Sequence, residues 1–339
     1  MTTNIAKNSN IKTCKELLLD FEQVQKSLRK GELLSFSLGD REKFCFNYNF
    51  PDDDITIYNP TKPFIRHGKK YLIGRVEPKG TEDSKVMFFE KIGAEWQVVP
   101  NAPVFHLQDP FMVDNVQGWN VVGGVKLFAQ KEGFYKFQTH FYRFKKCNSE
   151  LIKEDKTLVE PFAVGPMQMK DIRLLELKNG NVGVFTRPSG GEFGGGKIGF
   201  IEIDSLDKLE EAIPKAKIIE GQFSKGEWGG TNELHLLANG KIGVLGHVAH
   251  FEGPIRHYYA MSFVFDPSNF SATPINILTS ADQFPEVPSK RTDLGKIIFS
   301  GGLERKIDGT ASLYVGVGDV KAGKIKISDP FLKYELSNI

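Results

Sequence analysis

Apolar residues along this chain fall mostly in short runs and alternations of strand type, and only a few stretches carry a helical spacing. In TCKELLLDFEQVQKSL, Thr13 and Glu16 stand in capping-box spacing, and Leu17, Leu18, Phe21, Val24 and Leu28 share one face, which predicts an N-terminal helix. A second, shorter helix is expected in SLDKLEEAIPKA, Ser205 to Ala216, stopped or kinked near Pro214. Almost everything else reads as strands.

The strand pattern repeats. DIRLLELKNGNVGVFTRP (Asp171 to Pro188) and NELHLLANGKIGVLGHVA (Asn232 to Ala249) share a polar start, a Leu-rich strand, Asn-Gly and a Gly-Val strand. Asn-Gly between two apolar runs predicts a hairpin with a two-residue type I′ turn, which needs positive φ at both central positions. Weaker echoes occur in YNPTKPFIRHGKKYLIGRVE, QDPFMVDNVQGWNVVGGVKLF and SGGLERKIDGTASLYVGVGD, five units in all. Small sheets recurring along a chain predict radial repetition, because each face is then buried against its neighbour. The expected fold is all-β: a five-bladed β-propeller at 41–339, forming a single catalytic domain, with a helical flank at 1–40. The rival is a two-sheet sandwich with an extra domain, which explains the strands but not the recurrence.

Composition narrows the function classes. The 339 residues are 40% apolar and 25% charged, enough for a large core. Lys and Arg number 44 against 42 acids with no basic block, so nucleic acid is not an expected partner. Cys14, Cys45 and Cys147 are widely spaced with no C-x-x-C pair, which argues against a disulfide framework or a zinc site and fits a reducing compartment. No apolar run approaches membrane-spanning length, and no signal-like segment opens the chain. A cytoplasmic, non-membrane protein is expected, without cofactor or metal.

In a propeller, the polar residues at the heads of the repeats converge on one pocket. Aligning the units brings forward Asn59, Asp109, Lys170 with Asp171, Asn232 with Glu233, and Gly301-Gly302; Arg75, Arg187, His247, His250 and Asp319 end or follow the second strands. Carboxylates, amides and cations around a funnel suit a sugar, and the cations add a place for phosphate. Read singly, each has a plainer explanation. Asp109 before Pro110 can stabilise a turn, Lys170-Asp171 can be a surface ion pair, and Arg75 and Arg187 can cover an outer rim. His247 and His250 fall on opposite faces of one strand, which speaks against a metal site. GGEFGGGKIGF (Gly190 to Phe200) matches G-x-G-x-x-G, but a strand rather than a helix follows, so it is expected as a mobile glycine loop beside the site. Trp119 and Trp228 are expected in the core.

The order of these motifs, from about Ile55 to Asp319, resembles the β-mannoside phosphorylases of glycoside hydrolase family 130, and more closely the related bacterial and trypanosomatid mannosyltransferase/phosphorylase family that handles β-1,2-linked mannan. YNPTKPF…YLIGRVE is similar to the family's Asn-Pro strand followed by Arg, LQDPF to its Glu-Asp-Pro-Arg segment, KDIRLLELKNGNVGVFTRP to its Lys-Asp…Gly…Arg-Pro unit, and SGGLERKIDGTASLYVGVGD to its closing Tyr-x-Gly-x-x-Asp. The resemblance implies a five-bladed propeller on which Asp109 protonates the glycosidic oxygen, in some members through a neighbouring sugar hydroxyl. Inorganic phosphate attacks the anomeric carbon from the opposite face, with inversion. It further implies phosphate on Lys170, Arg187 and His250, and sugar on Asn59, Arg75, Asp171, Asn232, Glu233 and Asp319. The partners would be a β-mannooligosaccharide with inorganic phosphate or mannose 1-phosphate, or a nucleotide-activated mannose in the synthetic direction. Gln108 and Phe111 stand where family 130 commonly has Glu and Arg, which favours the mannosyltransferase/phosphorylase relatives. A glycoside hydrolase on the same propeller and a non-catalytic glycan-binding propeller are the alternatives.

Overall fold

A computed structural model describes residues 11–24, 30–39, 54–100, 102–129, 135–145 and 160–336. The chain is mostly β, with few helices. Among the described residues most strands fall into five antiparallel groups, three of which are joined into one sheet by short parallel pairings, Tyr258 with Ile297 and Lys321 with Ile57. The first comprises Ile55–Tyr58, Lys69–Pro78, Lys85–Ile92 and Glu95–Val98, and the second Gln108–Val116, Trp119–Ala129, Tyr135–Lys145 and Ala163–Val164. Arg173–Glu176, Val182–Thr186, Gly199–Ile203 and Lys217–Ile218 make the third, and Trp228–Leu236, Ile242–Glu252, Ile255–Asp266 and Asn276–Thr279 the fourth. The fifth, Lys296–Arg305, Thr310–Val317 and Lys321–Ser328, takes its fourth strand from the other end of the chain, Glu32–Leu33. The expected flank is thus stitched into the sheets, since Phe36–Ser37 also pairs in parallel with the edge of the first group. The boundary expected at 40/41 lies outside the described residues.

Strands buried on both faces explain why so many apolar runs fail to alternate: every residue of Val182–Thr186 is buried. The core lies between successive groups. Ile73 and Phe88 of the first meet Leu107 and Val122 before and in the second; Phe111 and Phe141 of the second meet Leu174 and Val184 of the third. Phe185 and Phe200 of the third meet Phe263 and Phe265 of the fourth, and Leu245 and Val264 of the fourth meet Leu303 and Leu313 of the fifth. Burying each of these side chains contributes roughly 1.5–3 kcal/mol.

The N-terminal helix, Cys14–Val24, is capped as its sequence predicts: Thr13 N–H donates to Glu16 Oε2 (2.8 Å) and Glu16 N–H to Thr13 Oγ1 (3.3 Å). Cys14, Leu17 and Phe21 are buried against the third and fourth groups, whereas Val24 is exposed and Leu28 lies outside the described residues, as do Cys45 and Cys147. The second predicted helix is a single α-turn, Leu209–Ala212, between 3-10 turns, the last of which contains Pro214. The Asn-Gly hairpins differ from expectation in turn type. Only Gly180 (φ 83°) and Gly240 (φ 87°) are left-handed, and the preceding Asn179 and Asn239 instead accept, through Oδ1, the N–H two residues on.

One feature of the ladders positions the chemistry. Register breaks interrupt the first strand of the second group between Gln108 and Phe111, of the fourth between Thr231 and Glu233, and of the fifth between Ser300 and Gly302. In the first group the ladder stops at Tyr58 and resumes with Phe64–Arg66, and in the third Asp171 and Ile172 precede the first paired residue. A bulge leaves a residue outside the ladder and re-aims its side chain. The residues so released include Asn59, Asp109, Asp171, Asn232 and Gly301, and three of them have left-handed backbones: Asn59 (φ 47°), Asp109 (φ 48°) and Asp171 (φ 58°). Asn and Asp tolerate that region better than most residues.

Candidate active site

The released residues meet in a cycle of neighbours. Asn59 Nδ2 donates to Asp109 Oδ1 at 2.8 Å, linking the first and second groups. The Arg173 guanidinium lies 4.4 Å from the Phe111 ring centroid and its Nε donates to Asn232 O at 2.7 Å, linking the second, third and fourth. Ser300 Oγ donates to Gly246 O (2.6 Å) and lies 3.2 Å from Asn232 Oδ1, which links fourth to fifth, and Gly301 packs so tightly on Pro60 that a Cβ would overlap the Pro60 carbonyl. The cycle then returns to the first group.

Asp109 sits in one half of this cluster, 8% exposed, and also accepts from Arg75 Nη1 at 3.1 Å. Arg75 is held on every side: Nε donates to Ser84 Oγ (2.9 Å), Nη2 to Glu77 Oε2 (2.6 Å), and the guanidinium lies over the Tyr58 ring at 4.8 Å. Glu77 in turn accepts from Tyr58 OH (3.0 Å) and pairs with Lys290 (2.5 Å), which also reaches Glu82 (2.8 Å). Burial works to raise the Asp109 pKa, but Arg75, Lys170 and the Asn59 hydrogen bond outweigh it and hold the carboxyl below its usual range. Asp319, in a left-handed turn (φ 57°), is shifted the other way: burial and the nearby Asp109 charge raise it against the pull of Arg75.

Asp171 anchors the other half. Its Oδ2 accepts from Arg187 Nη1 at 3.0 Å and faces His247 Nε2 at 3.9 Å. Burial pushes the Asp171 carboxyl up, but Arg187, His247 and Lys170 bring it below its usual range. His247 is neutral at pH 7: burial, with Arg187 and Lys170 adding to it, lowers its pKa to about 3. Its Nδ1 lies 2.9 Å from Asn232 Oδ1, an acceptor that assigns the proton to that nitrogen. Lys170, half-buried, joins the halves, since its charge acts on Asp109, Asp171, His247 and Asp319. Asp171 Oδ1, Asn232 Nδ2 and Asn59 Oδ1 are buried with no partner among the described residues.

Eight of the ten residues given a catalytic, sugar or phosphate role from sequence therefore come together: Asn59, Arg75, Asp109, Lys170, Asp171, Arg187, Asn232 and Asp319. Two do not. Glu233, one residue past Asn232, belongs to a different cluster, where it pairs with Lys62 (2.6 Å) and His235 (3.0 Å) and accepts from Leu303 N–H (2.6 Å). His250 lies on the opposite face of its strand from His247 and stacks on His257 (5.1 Å) and Tyr259 (5.9 Å), so His247 is the histidine at the site. Glu77, Lys290, Arg173 and Ser300 were not legible as site residues. Glu77 alone had a signal, sharing a strand face with Arg75 two residues earlier. Arg173 lies over the Phe111 ring. Among the described residues, no group of three or more His, Cys, Asp and Glu is arranged to hold a metal.

The family described as Protein of unknown function (DUF1861) matches residues 40–333. Among solved structures, the chain is similar to a mannose phosphorylase from Leishmania mexicana in complex with phosphate ion, at 32% identity over 94% of each chain, with a TM-score of 0.80. It is also similar to a GDP-Man-dependent mannosyltransferase from Leishmania mexicana, at 32% identity over 94% of this chain and 95% of that one, with a TM-score of 0.79. A β-1,2-mannobiose phosphorylase from Listeria innocua shares the fold at 13% identity, covering 86% of this chain and 96% of that one, with a TM-score of 0.56. No curated protein matches the chain by sequence.

Proposed function

We propose, from the premise that this chain belongs to the DUF1861 family and to the mannosyltransferase/phosphorylase family of its Leishmania relatives, that it is an enzyme that forms and phosphorolyses β-1,2-mannosidic bonds by inversion, using mannose 1-phosphate or a nucleotide-activated mannose as donor in synthesis. The observation that carries the reading is the pairing, in one buried cluster, of Asp109 with a cationic half built from Lys170 and Arg187. A hydrolase that inverts needs a second carboxylate to activate water, whereas phosphate is already a nucleophile and needs cations to hold it.

In the proposed reaction, a phosphate oxygen forms the bond to the anomeric carbon as the bond to the glycosidic oxygen breaks. The Asp109 proton goes to the departing oxygen, directly or through a neighbouring sugar hydroxyl. Arg75 and Lys170 hold the Asp109 carboxyl below its usual range against the effect of burial, and so favour its ionised form. A dianion entering beside Lys170 offsets that pull, so Asp109 takes up its proton as phosphate binds. Arg75, with its donors committed to Asp109, Glu77 and Ser84, acts as the holder of the acid. Asn59, Asp171, Asn232 and Asp319 take the sugar hydroxyls. The five groups are the blades of one propeller closed at the Gly301–Pro60 seam, a single catalytic domain in which the expected flank at 1–40 supplies strands at Glu32–Leu33 and Phe36–Ser37 to the body expected at 41–339. No helix among the described residues is long and apolar enough to cross a membrane. The free, buried Cys14 thiol fits a reducing compartment, and we assign the enzyme to the cytoplasm.

The test is incubation with β-1,2-mannobiose and inorganic phosphate. Mannose 1-phosphate should appear in step with phosphate consumption, and mannose 1-phosphate or GDP-Man should support synthesis in reverse. Release of free mannose without phosphate dependence would instead identify a hydrolase. No turnover in either direction would refute the reading.

A further inference from the structure

The glycine-rich segment Gly190–Gly196 is anchored where a mobile loop was expected. Gly195 O accepts from Arg187 Nη2 at 2.8 Å, and Lys197 N–H donates back to Pro188 O at 3.1 Å. From the other side, Gly229 O accepts from Arg187 Nε at 2.9 Å. The contacts leave no room for side chains. A Cβ on Gly196 would lie 2.5 Å from Arg187 Nε, one on Gly195 2.7 Å from Trp228 Cγ, and one on Gly230 2.6 Å from Asp171 Oδ2 and 2.9 Å from Arg187 Cδ. Gly196 also has φ 138°, which strains any other residue.

Arginine has five N–H donors. Gly229 O, Asp171 Oδ2 and Gly195 O take three of those on Arg187, one from each nitrogen, which leaves one N–H on Nη1 and one on Nη2 with no partner among the described residues. N–H groups on the two terminal nitrogens form a fork for two oxygens of a tetrahedral anion where they point the same way. We propose that Gly195, Gly196, Gly229 and Gly230 form a backbone clamp that fixes the Arg187 guanidinium with this fork turned toward phosphate. Gly195 and Gly196 are positioning residues, acting on phosphate through Arg187. The clamp rests on the reading of the site as one that takes phosphate.

The test is calorimetric titration of the full chain with inorganic phosphate, and separately with β-1,2-mannobiose, using wild type, Gly196→Ala, Arg187→Lys and Glu192→Ala. Glu192 is on the exposed turn of the same segment and touches neither the clamp nor the site. Gly196→Ala should weaken phosphate at least tenfold while leaving the mannobiose affinity within twofold, and its KM for phosphate should rise more than kcat falls. Arg187→Lys, which keeps the charge and loses the fork, should match that loss, and Glu192→Ala should bind as wild type does. Wild-type phosphate affinity in Gly196→Ala, or an equal loss of phosphate and sugar binding, overturns the clamp. Should Gly196→Ala fail to fold, undiminished phosphate binding by Arg187→Lys overturns it independently. Absence of phosphate binding by the wild type sinks the functional reading, and the clamp with it.

Discussion

Asp109→Asn separates the chemical role of this residue from its structural one. Asp109 Oδ1 accepts from Asn59 Nδ2 at 2.8 Å and Arg75 Nη1 at 3.1 Å, and an asparagine oxygen in the same place accepts both. What changes is that two charge-assisted hydrogen bonds become ordinary ones, a loss of about 1 kcal/mol each. Removing a buried carboxylate relieves part of this, and Arg75 retains Glu77, so the net destabilisation is at most about 2 kcal/mol. With an unfolding entropy of about 2 cal/mol/K per residue, a chain of 339 residues loses no more than about 3 °C in Tm. Loss of the proton donor, by contrast, lowers kcat by roughly 10²–10⁴-fold. The assay is mannose 1-phosphate release at saturating phosphate, alongside a thermal melt of the same preparation. Turnover within tenfold of wild type would refute the assignment of the acid. A fall in Tm beyond about 10 °C would show that Asp109 is there chiefly to hold the sheets together.

Other consequences can be measured separately. Lys170→Gln removes a charge that lowers both Asp109 and Asp171, so both carboxyls rise and the alkaline limb of the pH–rate profile, set by loss of the Asp109 proton, moves to higher pH, together with a higher KM for phosphate; an unmoved limb would exclude Lys170 from the site. Glu233 has a folded-state pKa of about 2, below its ordinary 4.5, so its stabilisation is complete above about pH 4.5 and is lost as pH falls toward 2. Denaturant titrations should show wild type losing about 3 kcal/mol across that window that Glu233→Gln does not lose. Gly301→Ala forces a Cβ onto the Pro60 carbonyl at the seam between the first and fifth groups, and should destabilise by about 3 kcal/mol or more in the same titrations; a neutral effect would mean the seam is not tightly closed.

Much of this was legible because it is local. The Thr13–Glu16 cap, the recurring strand pairs and the head residues of each repeat are short-range patterns, and eight of the ten residues given a role are those that the ladders release or that lie beside them. What failed was facing and register. His250 and His247 are three residues apart, and choosing between them required knowing which strand face meets Asp171. Glu233 follows a break in register after Thr231, which sends adjacent side chains to different clusters. The holder network of Glu77, Glu82 and Lys290 joins residues more than two hundred positions apart, which no spacing rule reveals. The Asn-Gly turns were found but mistyped, because the asparagine side chain supplies a hydrogen bond where a left-handed backbone was expected.

The breaks in the first strands also bear on how such an enzyme can change. Asn59, Asp109, Asp171 and Asn232 each stand outside the regular ladder of their own sheet, so on the proposed reading of the site replacing one alters what the molecule recognises without withdrawing a backbone rung from the scaffold. Mutational drift can therefore retool selectivity one sheet at a time, on a frame that does not have to refold to accept each trial.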